Sequence, residues 1–365
     1  MTKTFTSESV CAGHPDKICD RISDAILDAV LTADPLGRVA VETLVTTNKV
    51  IVAGEVTTKA KINYPKIVKT AIQELGYTDP LFDFSDNSPL ELYVHQQSAD
   101  IAVGVDQAGA GDQGMMFGYA CSETSSLMPM PIMVAHALTK AIDTARVTNL
   151  KYLRPDGKSQ VTIEYNRDQP TKARQVVLAV PYQENISKDQ LQADLYKLII
   201  VPVLAEFGLS IPQNQIIING TGVWHIGGPA SDTGLTGRKI IVDGYGGYAR
   251  VGGGAFSGKD PTKVDRSGAY AARFLAKNIV AQKLAKKCEV RLAYFIGAKK
   301  PSMQEVETFG TATASDKVIQ DFINGLLDTS VAGILETLDL RRPIYTPTSS
   351  YGHFGRPEFP WEKIV

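Results

Sequence analysis

The chain has 365 residues, enough for two or three domains at about 150 residues per domain. Its 38 basic and 39 acidic side chains leave a formal net charge of −1. This balance argues against bulk electrostatic binding to nucleic acid or to an acidic membrane, although a local basic pocket stays possible. Hydrophobic residues make up 44% and charged residues 21%, as in an ordinary globular protein.

The sequence contains no segment that we expect to cross a membrane or to direct secretion. The best candidate apolar run, residues 198–204, is short and contains a proline, and the first five residues lack the apolar core of a secretion signal. The four cysteines form no CxxC pair, and scattered thiols in a chain of this length suit a reducing compartment. These features predict a cytoplasmic protein.

One pattern of elements occurs three times along the chain. Each unit opens with an amphipathic helix, since apolar residues recur at a spacing near 3.6. These helices are predicted at 18–30, 131–142 and 264–280. Paired strands follow at 39–45 with 50–57, at 161–165 with 175–180, and at 289–296 with 305–311. Second helices are predicted at 64–75, 188–207 and 316–338, and final extended segments at 90–95, 215–218 and 342–345.

The repeat predicts a triplicated domain with helices on one face of a mixed sheet, which is an α+β fold of similar two-layer units. The units are more than 100 residues long, so they do not form a solenoid. We place the domains at 1–108, 109–232 and 233–365. The alternative is that an α/β chain rich in helices has been divided so that it looks repetitive.

The first candidate site is the segment 13–17, GHPDK, at the start of the first predicted helix. Proline is favoured at the first helical position, and a helix N-terminus offers free N–H groups to a phosphate. His14 could donate to a phosphate or to a bridging oxygen, and Asp16 could hold a hard cation such as Mg²⁺. A helix cap with a solvated aspartate is the plainer alternative.

The second candidate is the glycine-rich segment 252–265. It nearly matches the P-loop pattern, but Asp260 stands where the magnesium-binding hydroxyl belongs and the next helix begins too late, so we reject that interpretation. The loop can still bind anions, because glycines expose N–H groups and Lys259 and Lys263 add two charges. A flexible loop without a ligand is the alternative.

Asp265 begins the third helix much as Asp16 begins the first. If the units are related by pseudo-symmetry, the two carboxylates could approach one pocket. Two carboxylates and a polyphosphate would suit two Mg²⁺ ions. Alternatively, Asp265 is only a favourable acid in a first helical turn.

Three further loops combine glycine with charge, at 109–114 (GAGDQG), 156–158 (DGK) and 227–239. Each is weak evidence alone, since many DGK turns are simple hairpins. The candidate cations on all these loops are His14, Lys158, Arg238, Lys239, Lys259 and Lys263. In a nearly neutral chain, such a concentration indicates a strongly anionic ligand, and a triphosphate fits better than a single phosphate.

These segments together resemble the S-adenosylmethionine synthetase family over essentially the whole chain. The most specific signatures are 13–17, 109–114 and 252–260. The family has three intertwined domains of similar fold in a pseudo-threefold arrangement, which agrees with the repeat. The resemblance implies that the methionine sulfur attacks C5′ of ATP and expels the triphosphate, which is then hydrolysed to phosphate and pyrophosphate.

The resemblance also implies roles for individual residues. Those implied in catalysis are His14, Lys158, Arg238 and Lys259. Those implied in ATP binding are His14, Asp156, Lys158, Val223, Trp224, Asp232, Arg238, Lys239, Ala255 and Lys259. Those implied in methionine binding are Glu55, Gln97, Asp112, Asp232 and Lys263. Two Mg²⁺ ions would be held by Asp16 and Asp265, and one K⁺ by Glu42. A homodimer with shared active sites is expected, and more specifically a tetramer of two dimers.

Two features depart from the family pattern. The segment between Ile101 and Gly109 is short where relatives carry a longer polar loop thought to gate the site. Trp224 and His225 stand where bacterial relatives commonly have phenylalanine and an aliphatic residue. Two other functions compete with synthesis. One is a phosphotransferase that uses the same triphosphate pocket, and the other is a nucleotide-binding protein without turnover.

Overall fold

The computed structural model describes residues 2–96 and 109–365. In these ranges the strands are β1 (Thr2–Val10), β2 (Arg38–Thr46), β3 (Lys49–Thr57), β4 (Leu90–His95), β5 (Gly114–Cys121), β6 (Lys158–Asn166), β7 (Gln169–Ala179), β8 (Ile216–Ile218), β9 (Gly234–Leu235), β10 (Lys287–Tyr294) and β11 (Met303–Glu307). The α-helices are α1 (Pro15–Ala33), α2 (Tyr64–Glu74), α3 (Met130–Val147), α4 (Lys188–Leu195), α5 (Val201–Glu206), α6 (Ile240–Asp243), α7 (Val264–Ala281), α8 (Asp316–Leu326) and α9 (Val331–Thr337).

Three sheets are built on one plan, with the strand orders β4-β3-β2-β9, β1-β6-β7-β8 and β11-β10-β5. The antiparallel hairpins β2–β3, β6–β7 and β10–β11 form their centres. In the first two sheets, β4 and β8 add in parallel to the second strand of the hairpin. On its other side, each hairpin is completed by a strand from elsewhere in the chain, since β9 pairs with β2, β1 with β6, and β5 with β10.

This exchange of strands confirms the predicted α+β fold of three intertwined two-layer units. One long helix packs on each sheet: α1 on β2, α3 on β1 and β6, and α7 on β5 and β10. The helices cover these faces because the strands alternate in polarity. Alternate residues of β2, such as Val39 and Val41, are buried beneath α1. The apolar side chains form two cores, one shared by the units of α1 and α7 and one within the unit of α3.

The structure corrects several predicted elements. Residues 342–345 form turn and coil rather than a strand. The helix predicted at 316–338 is two helices, because the Ser330 hydroxyl accepts a hydrogen bond from Gly333 N–H and starts α9 anew. The helix predicted at 188–207 contains a π-helical turn, Tyr196–Ile200, just before Pro202, whose missing N–H interrupts regular bonding. Strands β1, β5 and β9 were missed.

In the described part of the chain, no single helix has the length and hydropathy to span a membrane. Only the bent pair α8 and α9, taken together, meets the length and composition criteria. All four cysteines are buried free thiols, as the scattered positions of the thiols in the sequence predicted.

Candidate active site

His14 caps the N-terminus of α1 and is almost completely buried. Its Nδ1 accepts a hydrogen bond from the backbone N–H of Asp16 at 3.2 Å. Burial, and then the ammonium groups of Lys239 and Lys158, lower the pKa of His14 to about 3. The imidazole is therefore neutral at pH 7 and carries its proton on Nε2, since the accepting nitrogen has none. Its 4.0 Å approach to Asp16 is accordingly not an ion pair.

Asp16, in the first turn of α1, has both carboxylate oxygens occupied. Oδ2 accepts from Lys239 Nζ at 2.5 Å, and Oδ1 accepts from the backbone N–H of Leu235 at 3.0 Å. Arg238 Nη1 lies 3.9 Å from Oδ1. Burial raises the pKa of Asp16, but these donors outweigh it and bring the pKa below its usual value. Asp16 is therefore an ionised carboxylate that holds the segment around β9 against the start of α1.

The 156–158 turn contributes Lys158 as a third cation near His14, besides Arg238 and Lys239. Its position is set by β1 and β6, which are paired up to Lys158, while β1 leads directly into the His14 segment. Asp156 is buried, and its two oxygens accept from the N–H groups of Gly157 at 2.6 Å and Gly228 at 2.8 Å. Burial raises the pKa of Asp156 to about 6. Asp156 therefore fastens the 156–158 turn to the 227–239 loop.

The glycine-rich loop forms a second group of charges. Lys259 Nζ donates to Asp265 Oδ2 at 2.6 Å, and Lys263 pairs with the buried Asp260. The loop lies directly against the acid, because a Cβ on Gly254 would lie 2.3 Å from Asp265 Cγ. Both predicted lysines therefore have a carboxylate partner in the free protein.

Glu42 and Glu55 extend this second group from the neighbouring strands β2 and β3. Partial burial and the Glu55 carboxylate raise the pKa of Glu42, and the ammonium group of Lys259 opposes them. His95 Nε2 lies 3.1 Å from Glu55 Oε1. Glu42, predicted to bind potassium, and Glu55, one of the residues predicted to bind methionine, thus form a pair of acids near Lys259.

Glycine contacts bring the motif loops next to one another. A Cβ on Gly234 would lie 2.2 Å from the carbonyl carbon of Pro15, and one on Gly237 would lie 2.3 Å from Ala255 Cβ. A Cβ on Gly114 would lie 3.5 Å from Asp265 Oδ1. The 109–114, 234–239 and 252–258 loops are therefore neighbours, and two of these contacts leave no room for a side chain.

The other predicted site residues lie at the surface of this region or outside it. Val223, Asp112 and Asp232 are exposed, and Trp224 is partly buried with its Nε1 donating to Ile226 O at 2.9 Å. Gln97 and the short segment that follows it lie outside the described residues.

The sequence analysis missed the buried pair that holds the glycine-rich loop. The Asp24 carboxylate accepts from Arg266 Nη1 and Nη2 at 2.7 and 3.0 Å, and neither side chain is exposed. It also accepts from Gly258 N–H and from the Ser257 hydroxyl, both at 2.9 Å. The sequence signal was weak, because Asp24 lies on the side of the first predicted helix opposite Ile18, Ile22 and Ile26 and there resembles a solvated acid.

Among the described residues, no group of three or more histidine, cysteine or acidic side chains is placed to hold a metal ion. Asp16 and Asp265 each offer a single carboxylate. This donor set fits Mg²⁺, which proteins commonly bind through one or two carboxylates together with substrate phosphates.

An α+β fold with ammonium groups on glycine loops around a helix N-terminus defines a class of protein suited to polyanionic ligands. Three family models match the chain in order. They are described as the N-terminal, central and C-terminal domains of S-adenosylmethionine synthetase, and they cover residues 2–99, 107–224 and 226–363. A protein of Clostridium tetani (strain Massachusetts / E88) named S-adenosylmethionine synthase is 50% identical over 382 residues, which cover 100% of this chain and 97% of that protein.

The chain therefore belongs to the S-adenosylmethionine synthetase family, and its enzyme class is methionine adenosyltransferase. The resemblance predicted from the sequence motifs is confirmed. The family also establishes the general activity, the formation of S-adenosylmethionine.

Proposed function

We propose that the chain forms S-adenosylmethionine by attack of the methionine sulfur on C5′ of ATP. A sulfur lone pair forms the new S–C5′ bond while the C5′–O bond breaks, and its electron pair leaves with the triphosphate. The sulfur becomes a sulfonium, and water then hydrolyses the triphosphate to phosphate and pyrophosphate. A thioether has no proton to lose, so this step needs no general base.

The observation that carries this proposal is the neutral His14 at the N-terminus of α1, beside Lys158 and Lys239. Negative charge grows on the departing oxygen, and donors fixed in advance at that place commonly supply the largest catalytic contribution. In our proposal His14 Nε2–H donates to the oxygen that leaves C5′. Correct alignment of sulfur, carbon and oxygen supplies about 7–11 kcal/mol in well-oriented reactions.

The remaining roles extend this assignment. Lys158, Arg238 and Lys259 would stabilise the triphosphate, with Lys239 beside them. Other ATP contacts would come from Asp156, Val223, Trp224, Asp232 and Ala255. Methionine contacts would come from Glu55, Gln97, Asp112, Asp232 and Lys263. The acidic pair of Glu42 and Glu55 near Lys259 supports a zwitterionic ligand there, since an ammonium group of methionine would face carboxylates.

The single carboxylates of Asp16 and Asp265 would each hold one Mg²⁺ together with phosphate oxygens, and Glu42 would contribute to a K⁺ site. When bound, the magnesium ions neutralise charge on the triphosphate. The protein's own part is to present one carboxylate to each ion and to keep ammonium groups beside it.

We also propose that two copies of the chain share each active site, in a dimer and then in a tetramer. The outer face of the β4-β3-β2-β9 sheet supports this, because Tyr93 and Leu235 are exposed large hydrophobic side chains there. Glu42 and Glu55 lie on the same face as these two, so a second copy on the sheet would cover the acidic pair. The cytoplasmic location and the domain division at 1–108, 109–232 and 233–365 stay predictions.

ATP that carries ¹⁸O at the oxygen between C5′ and the α-phosphorus tests the reaction. With methionine, Mg²⁺ and K⁺ present, we expect a sulfonium product of the correct mass and the label in the released phosphate or pyrophosphate. A phosphotransferase would instead yield ADP that retains the label. A protein that only binds the nucleotide would release no phosphate. Either result would contradict the proposed mechanism.

A further inference from the structure

We propose that Tyr77 is a positioning residue of this site, and the inference rests on the proposed function of His14. Tyr77 lies just beyond the end of α2 and outside every motif that the sequence singled out. Its hydroxyl and ring contact the segments that lead to His14 and Arg238, and both of these segments contact the turn that leads to Lys158. One side chain from the first unit thereby fixes the relative places of the groups that would surround the triphosphate.

The Tyr77 hydroxyl fixes the orientation of the peptide group between Gly13 and the helix cap His14. Tyr77 Oη donates to the carbonyl oxygen of Gly13 at 2.6 Å, and the side chain is wholly buried. Burial raises the pKa of Tyr77 well above its usual value, so the hydroxyl stays a proton donor. The Gly13 carbonyl belongs to the peptide plane that carries the His14 N–H. Its orientation therefore sets how the His14 side chain leaves the backbone.

The ring leaves no space for side chains on the neighbouring turns. A Cβ on Gly13 would lie 3.3 Å from Tyr77 Cε2 and 2.9 Å from the backbone nitrogen of Asp156. A Cβ on Gly228 would lie 2.2 Å from Tyr77 Oη, and Gly228 has a φ of +72°. Gly228 N–H in turn donates to Asp156 at 2.8 Å. The turn before His14 and the loop that reaches Arg238 therefore meet at one phenol, and both contact Asp156 in the turn before Lys158.

Tyr77 is itself held by its own unit rather than by the site. Its ring packs edge-to-face against Phe82 and Phe84, at centroid distances of 5.5 and 5.4 Å. Its backbone N–H donates to Ile72 O at 3.3 Å, and its carbonyl accepts from Asp86 N–H at 3.0 Å. Because these contacts fix the phenol independently, the hydroxyl can impose a position on Gly13 instead of following it.

The test compares Tyr77→Phe with Tyr294→Phe. Tyr294 is a matched control, since its buried hydroxyl donates to a backbone carbonyl, Thr329 O, at 2.7 Å. Each variant leaves a buried carbonyl without its donor, so we expect similar losses in thermal stability. We expect kcat to fall about tenfold or more in Tyr77→Phe, since misplacement by about 1 Å can lower the rate on the order of 10²-fold. The KM values should change by less than about threefold, and Tyr294→Phe should keep its kcat within about twofold.

A double-mutant cycle with His14→Ala separates positioning from general support of the fold. If Tyr77 acts through His14, Tyr77→Phe lowers kcat in the parent but has little further effect in His14→Ala. Equal effects in both backgrounds would overturn the inference, as would a Tyr77→Phe variant that behaves like Tyr294→Phe. Full turnover by His14→Ala alone would instead refute the proposed role of His14. Should Tyr77→Phe be unfolded at the assay temperature, the whole cycle is measured at a lower temperature at which circular dichroism shows all four proteins to be folded.

Discussion

Lys239 Nζ lies 2.5 Å from Asp16 Oδ2, so the proposed magnesium ligand is one half of an ion pair in the free protein. Lys259 and Asp265 repeat this relationship at 2.6 Å. A triphosphate with magnesium carries partners for both halves of each pair, because phosphate oxygens suit the lysines and the metal ions suit the carboxylates. Binding would therefore exchange partners within each pair, and no bare charge would be buried before the substrate arrives.

Asp16→Asn and Asp265→Asn should each lower turnover by about tenfold or more and raise the Mg²⁺ concentration needed for half-maximal activity. Each change removes one anionic oxygen from a hard cation and keeps the size of the side chain. Steady-state rates over a Mg²⁺ titration measure both quantities. An unchanged Mg²⁺ requirement in both variants would show that these acids only begin their helices.

Lys259→Met should reduce kcat more than it weakens ATP binding, because its charge matters most as the triphosphate departs. Lys300→Met is the control, since Lys300 is largely exposed and pairs only loosely with Asp328 at 3.8 Å. Kinetics and direct ATP binding on both variants separate the two contributions. Equal losses in binding and rate would indicate uniform binding, and an active Lys259→Met would indicate a solvated loop lysine.

Mixing two inactive variants should restore activity if each site draws on two copies of the chain. The prediction assumes that each site takes His14 from one chain and Lys259 from the other. In a dimer of one His14→Ala and one Lys259→Met chain, one site then has both defects and the other has none. Random exchange of subunits should then recover about a quarter of the parent activity, as expected for an isologous dimer. No recovery after exchange, confirmed by mass spectrometry of differently tagged chains, would place His14 and Lys259 of one site in one chain.

His136 should make the fold less stable in mild acid. Burial, followed by Lys17 and Arg356, lowers the pKa of His136 to about 3, whereas an unfolded histidine titrates near 6.5. The unfolded state therefore binds more protons between these values, so stability falls as pH drops below about 6.5. At pH 5 this linkage amounts to about 2 kcal/mol.

Replacing His136 by glutamine should remove that part of the pH dependence. The comparison is the difference in unfolding free energy between pH 7 and pH 5, measured by denaturant titration for parent and variant. A variant with the same pH slope as the parent would mean that His136 is protonated in the folded state. His136 shares a hydrogen bond with the Ser9 hydroxyl through Nδ1, at 2.8 Å, and neither residue has a proposed role in the site.

Hydrophobic periodicity was sufficient to predict the helices that begin at Pro15, Met130 and Val264 and the three hairpins, because these elements bury one face of their own sequence. It was insufficient for β1, whose sequence is polar, and for β9, which has two residues. Both strands form because they pair with a strand of another unit, β1 with β6 and β9 with β2. The local sequence contains no signal for such a distant partner. The same exchange explains why sequence boundaries such as 108 and 232 divide sheets that the fold keeps together.

The charged motif residues were visible in the sequence, but their pairing was not. Residue types indicated that Lys259 and Asp265 belong to a site for an anion, yet only the structure shows that they bind each other. The neutral state of His14 also depends on burial and on two lysines that are distant in sequence. Tyr77 and Asp24 could not be found from motifs, since neither lies in a glycine-rich or charged motif segment and each acts through a partner distant in sequence, Gly13 for Tyr77 and Arg266 for Asp24.

The exchange of strands has a consequence for synthesis on the ribosome. β5 emerges early but pairs with β10, and β2 gains its edge strand β9 only after the whole central unit has been translated. The first unit therefore leaves the exit tunnel with an open sheet edge, which is a template for pairing with other chains. Contacts between residues so distant in sequence also form slowly. Until β10 is synthesised, nascent chains of this protein would therefore expose strand edges that can pair with other chains.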